Sequence, residues 1–113
     1  RTTTCHVSPV QNVQGVSIVN IVYYGQNFWN DGQANVLQWQ MRLIKSATNQ
    51  YIEVRTKTAT ATAGLWNVSD GSSWMNTFPN GFNSVAGQSF VLSSDSAGAA
   101  WTFTNNSYVN VGV

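Results

Sequence analysis

Five tryptophans, four tyrosines and five phenylalanines stand in a chain of 113 residues that carries only five Lys or Arg and four Asp or Glu. The chemistry such a set offers is stacking. A sugar ring presents an apolar face of C–H groups and a rim of hydroxyls. An exposed indole stacks on the first, and Asn, Gln, Ser and Thr both donate to and accept from the second. Neither contact needs net charge. Three tryptophans sit in polar surroundings: Trp29 in Asn27–Phe28–Trp29–Asn30–Asp31–Gly32, Trp66 in Gly64–Leu65–Trp66–Asn67, and Trp74 between Ser72–Ser73 and Met75–Asn76. These read as exposed, and large aromatics placed repeatedly at polar loop edges point to a ligand. Trp39 shares an alternating face with Leu37, Met41 and Leu43, and Trp101 alternates with Phe103, so both read as core.

Other chemistries lack their parts. His6 is the single histidine and falls in a polar start, which does not supply the rigid surround a Ser-His-Asp triad requires. A glycosidase needs two opposed carboxyls. Of the four available, Asp31, Asp70 and Asp95 neighbour Gly or Ser in turn-like stretches, where a carboxylate caps nearby amides; Glu53 lies in an alternating run. No His pair or carboxylate cluster suggests a transition metal. Calcium held by Asp31 or Asp70 with carbonyls has nothing in its favour, and no glycine loop cradles a phosphate. The expectation is a non-enzyme without cofactor or metal. A formal charge of +1 lacks the basic face of a nucleic-acid reader or a polybasic membrane binder. No apolar run approaches the roughly 20 residues of a membrane span. The lone Cys5 excludes an internal disulfide and a cysteine-based zinc site, leaving an incidental thiol or a bond to a cysteine outside this stretch.

The elements that must carry these residues are strands. β-Branched and aromatic residues are abundant, Glu occurs once, and period-2 alternation is plain. Val16 to Tyr23 reads as a strand buried on both faces. Leu37, Trp39, Met41 and Leu43 alternate with Gln38, Gln40 and Arg42 as a half-buried strand. Tyr51 to Thr58 sets Ile52, Val54 and Thr56 against Glu53, Arg55 and Lys57, every charge on one face. Thr58 to Thr62 alternates Ala and Thr, Phe90 and Leu92 follow Gly87, and Trp101, Phe103 and Tyr108 supply a last strand or pair. Reversals are expected at Asn30–Asp31–Gly32, Ala47–Thr48–Asn49, Ser69–Asp70–Gly71, Pro79–Asn80–Gly81 and Ser94–Asp95–Ser96. Strands at such spacing predict an all-β, antiparallel β-sandwich: a polar N-terminal tail over residues 1–14, then one domain over 15–113.

The run Trp29–Asn30–Asp31–Gly32–Gln33–Ala34–Asn35–Val36 resembles the opening of family 2 cellulose-binding modules. The closer likeness is to carbohydrate-binding modules of family 49, found in plant family 9 endoglucanases and in cellulose-binding wall proteins of amoebae. It extends through the strand Val36 to Lys45, Asn49, Leu65–Trp66, Phe78–Pro79 with Phe82, and Ala86–Gly87–Gln88–Ser89–Phe90, covering about residues 15 to 104. The resemblance implies a jelly-roll sandwich with a row of exposed aromatics lying along cellulose. By position Trp29 and Trp66 match two of those aromatics. The family places a third after the proline, where Phe82 stands, while Trp74 precedes it and competes for the role. Val91–Leu92–Ser93 departs from the family's Gly-aromatic sequence.

The expected function is therefore non-catalytic binding of cellulose or a related β-1,4-glucan. Trp29, Trp66 and Trp74 act as platform, Phe82 as the competing third aromatic, and Gln26, Asn30, Gln33 and Asn67 as hydroxyl partners. A wall or adhesion module using the same aromatics as protein-contact anchors is the alternative. A free-standing hydrolase, requiring two carboxyls across a groove, is a third. The scarcity of Lys and Glu, with sequons at Asn67–Val68–Ser69 and Asn105–Asn106–Ser107, points to secretion, and the family resemblance implies an extracellular wall, a cyst wall if the source is amoebal. A first residue of Arg rather than Met fits a mature or excised piece, with further modules of the same longer protein as partners.

Overall fold

The computed structural model describes residues 4–26, 36–59, 65–66, 82–83, 87–98 and 100–110. All regular structure among them is strand: β1 Thr4–Val7, β2 Gln11–Val13, β3 Val16–Gln26, β4 Val36–Lys45, β5 Asn49–Ala59, β6 Leu65–Trp66, β7 Phe82–Asn83, β8 Ser89–Asp95 and β9 Trp101–Asn105. Seven form one antiparallel sheet in the order β1-β3-β4-β5-β8-β9, with β2 also paired to β3; β6 and β7 make a separate two-stranded ladder between β5 and β8 in the chain. The all-β, antiparallel, sandwich-like class expected from alternation is what forms. Within the large sheet the described strands run as a meander.

β4 and β5 coincide with the alternating runs, as strands that turn one face to the core do. The turns follow local chemistry. Between β4 and β5 the Ser46 amide donates to the Asn49 carbonyl (2.9 Å), and the Ser46 hydroxyl accepts from the Asn49 amide (3.0 Å). Between β8 and β9 the Asp95 carboxylate accepts the amides of Ala97 (3.1 Å) and Gly98 (3.0 Å), the capping role expected of it. The expected reversals at residues 30–32, 69–71 and 79–81 lie outside the described residues. One turn carries no strong signal in sequence. Gln14 (φ 51°) and Gly15 (φ 81°) join β2 to β3 with Val13 opposite Val16, and two consecutive positive φ values are the primed turn whose twist suits a hairpin.

The segment expected as a polar tail, residues 1–14, departs from that reading, since it contributes β1 and β2 to the sheet edge. Every residue of β1 is exposed, so its pairing with β3 rests on backbone hydrogen bonds and leaves no apolar pattern to read. His6 accordingly stands opposite Val22 on a paired strand.

Register divides the sheet into two faces. One carries the row Val7–Ile21–Met41–Val54–Phe90 and, beside it, Val19–Leu43–Ile52–Leu92–Phe103. Val54, Phe90 and Leu92 are sealed, and Met41, Ile52, Trp101 and Phe103 pack around them. Toward the amino edge the same face opens, to 39% exposure at Leu43 and 63% at Val7. The other face carries Asn20–Arg42–Glu53–Val91 and Val22–Gln40–Arg55–Ser89. The expectation that Val16 to Tyr23 is buried on both faces holds at Ile18 but not at Val22, which is exposed.

Glu53 is fully buried at the centre of the charged face. Its Oε1 accepts from Arg42 Nε (2.8 Å) and Arg55 Nε (3.0 Å), and its Oε2 from Arg42 Nη2 (2.6 Å) and the Val109 amide (2.6 Å). Arg42 Nη2 also donates to the Val109 carbonyl (2.6 Å). The segment after β9 is thereby strapped across this face. Burial works to raise the Glu53 carboxyl. The bonds from Arg42 and Val109 and the charges of Arg42 and Arg55 outweigh it and hold the carboxyl below its ordinary value. The same hydrogen bond raises Arg42 against the opposing cost of its own burial.

Candidate functional site

Of the residues selected from sequence, Trp29, Asn30, Gln33, Asn67 and Trp74 lie outside the described residues. Gln26 ends β3 opposite Val36, the first residue of β4, so it stands where the chain leaves for the Trp29 segment. Trp66 and Phe82 are brought together: they are register partners in the β6–β7 ladder, with Leu65 opposite Asn83. Directly opposed residues of an antiparallel pair have Cβ atoms about 4.5–5.5 Å apart. Two aromatic positions separated by 15 residues of chain thus become neighbours on one short ladder.

The tryptophans expected in the core are half-buried. Trp101 packs against the Val54–Phe90–Leu92 cluster, and its indole N–H donates to the Gly98 carbonyl (3.1 Å), which fixes the ring at the β8–β9 turn. Trp39 stacks on its cross-strand partner Tyr23, centroids 5.0 Å apart and planes 9° from parallel. Tyr23 folds back along its strand over Gly25, where an added Cβ would stand 2.7 Å from Tyr23 Cζ; glycine keeps room for the ring. Phe90 and Phe103 meet at 5.7 Å.

A concavity that the motif reading missed opens on the other face of the β3–β4–β5 strands. It encloses about 430 Å³ and is walled by Val22, Tyr24, Gln38, Gln40, Arg55 and Lys57. Its making depends on an irregularity: Trp39 pairs with Thr56 but Gln38 with Thr58, leaving Lys57 as an extra, unpaired residue of β5. A bulge of this kind re-aims a side chain and ends regular pairing. The sequence signals were the charge alternation of β5 and the Tyr23–Tyr24 pair, neither of which has the spacing of a recognisable motif. A second, apolar hollow of about 400 Å³ lies toward the opposite end of the sheet, among Val10, Val19, Leu43, Ile52 and Trp101. Among the described residues no three His, Cys, Asp or Glu are placed to hold a metal, and no helix is long and apolar enough to cross a membrane.

No protein-family model matches the chain, and neither a curated protein nor a solved structure matches it.

Proposed function

We propose that this domain is a non-catalytic binder of β-1,4-glucan, cellulose in the first place, acting outside the cell in a wall. Trp66 together with Phe82 forms one station of its aromatic platform, and Trp29 and Trp74 form the others. The observation that supports the reading most is the register of β6 and β7, in which two aromatic positions selected for glycan stacking are direct partners. The scarcity of charge and abundance of amide and hydroxyl side chains agree with it, since a neutral polymer offers hydroxyls and C–H faces and nothing to form an ion pair. The jelly-roll arrangement implied by the family resemblance belongs to the same proposal. Gln26, Asn30, Gln33 and Asn67 are the proposed hydroxyl partners.

Each stack contributes about 1–3 kcal/mol, by analogy with aromatic stacking on nucleobases. The test is adsorption to microcrystalline cellulose, with chitin and xylan beside it, for the wild type, Trp29→Ala, Trp66→Ala, Trp74→Ala and the triple variant. Circular dichroism verifies the fold of each. Single replacements should weaken binding by about tenfold or more, with little dependence on salt. Undiminished adsorption by a folded triple variant overturns the proposal.

A further inference from the structure

We infer that the concavity on the β3–β4–β5 strands is a second, separate binding site, and that it takes an acidic sugar: a pyranose bearing a carboxylate. Its volume of about 430 Å³ is in the range of small-ligand sites. Tyr24, 39% exposed, offers an aromatic wall for the ring's C–H face. Gln38 and Gln40 stand beside it on β4. Gln40 commits its amide N–H to Asn20 Oδ1 (2.9 Å), which fixes the side chain and leaves its oxygen to accept from a hydroxyl.

The charge in the site is what separates its ligand from neutral glucan. Two of the five Lys and Arg residues, Arg55 and Lys57, line this one hollow. Glu53 is the acid beside it, and it is already engaged by Arg42 and Arg55. Among the described residues, Arg42, Arg55 and Lys57 stand here against the single Glu53 charge, so these groups make the hollow electropositive. The other described acid, Asp95, sits opposite Asn49 at the far end of β5, six residues or roughly 20 Å along the strand.

Arg55 is held in place before any ligand arrives. Its Nε donates to Glu53, and its guanidinium lies 5.4 Å from the centroid of the Tyr108 ring. Among the described residues its terminal nitrogens have no hydrogen-bond partner, and the side chain is 46% exposed. A fixed guanidinium with two free terminal nitrogens matches a planar carboxylate, which it can engage through paired hydrogen bonds. Lys57, at the bulge, supplies a second cation without a geometric demand of its own.

The test is isothermal titration of the intact domain with tri-galacturonic acid, its fully methyl-esterified form and cellotriose, in low salt and in about 0.5 M salt. Only the free acid should bind, and added salt should weaken it by about tenfold or more. Lys57→Gln and Tyr24→Ala, both on exposed side chains, should each weaken it about tenfold, while Lys57→Arg retains most of the affinity. Adsorption to cellulose should be the same for these variants as for the wild type, which separates this site from the aromatic platform. Equal binding of the methyl ester, affinity unchanged in both variants, equally effective competition by inorganic phosphate, or no binding of the free acid would each overturn the assignment.

Discussion

The two faces of the large sheet both bury apolar side chains, Val54, Phe90 and Leu92 on one and Ile18, Ile44 and Val91 on the other, but they differ in what fills their most enclosed point. On one, Val54, Phe90 and Leu92 are sealed by apolar contact, while the same face is open at Leu43 and at Val7. On the other, the most enclosed side chain is a carboxylate, satisfied by two arginines and a backbone amide delivered by the strap after β9. The contrast teaches how differently the two respond to damage. Apolar burial is graded, and loss of one group costs that group and the space it leaves. A buried charge network depends on every member, because removal of one partner strands the other in a medium that solvates it poorly.

The widest separation should come from a single residue type placed at a sealed and at an open position of the apolar face. Leu92 and Leu43 share a face and a cross-strand row. Leu92→Ala should lower the unfolding free energy in urea by about 4 kcal/mol. Next, Glu53→Gln should cost about 3 kcal/mol, because Arg42 is left half-buried without its counter-charge. The same contact predicts the response to pH. The folded-state Glu53 carboxyl titrates below its ordinary value, so its contribution is complete above the usual carboxylate range and is lost as pH falls through the depressed value. Amide exchange at Val109 should therefore accelerate in acid, in step with that loss, and should become insensitive to pH in this way in Glu53→Gln once intrinsic exchange is allowed for. Gly25→Ala should cost about 2 kcal/mol by overpacking against the Tyr23 ring, and near-ultraviolet circular dichroism should register the disturbed Tyr23–Trp39 stack. Leu43→Ala closes the series at about 1 kcal/mol, because its side chain already meets water. A Leu43 loss equal to that of Leu92 would break the contrast between sealed and open positions of this face.

Much of the sheet was legible from alternation. β4 and β5 lie where apolar and polar residues alternate, β3 and β8 where β-branched and aromatic residues run together, and the placing of Glu53, Arg55 and Lys57 apart from Ile52, Val54 and Thr56 anticipated the two faces. What alternation does not encode is what covers each face. Glu53 lies with the charges yet is sealed, since the strap that buries it is 56 residues away in the chain at Val109. β1 and β2 escaped notice because an edge strand with exposed side chains is specified by backbone pairing alone. The concavity escaped because a bulge is an event of pairing between two strands, and neither strand announces it by itself. Of the proposed aromatic platform, position 66 and its partner 82 could be read as separate candidates in sequence, but their juxtaposition required the ladder.

The amino edge has a further consequence for the life of the molecule in a crowded medium. Between β1 and β2 the chain passes through Ser8, Pro9 and Val10, with the Ser8 hydroxyl and amide both turned onto Asn20 (2.9 and 2.8 Å). Proline has no amide hydrogen to offer a newcomer. The rim of the sheet is thus cut into two short pieces of four and three residues, neither long enough to template a neighbouring chain. An interruption that looks incidental in sequence leaves this side of the domain without a long unbroken row of backbone groups for another strand to join.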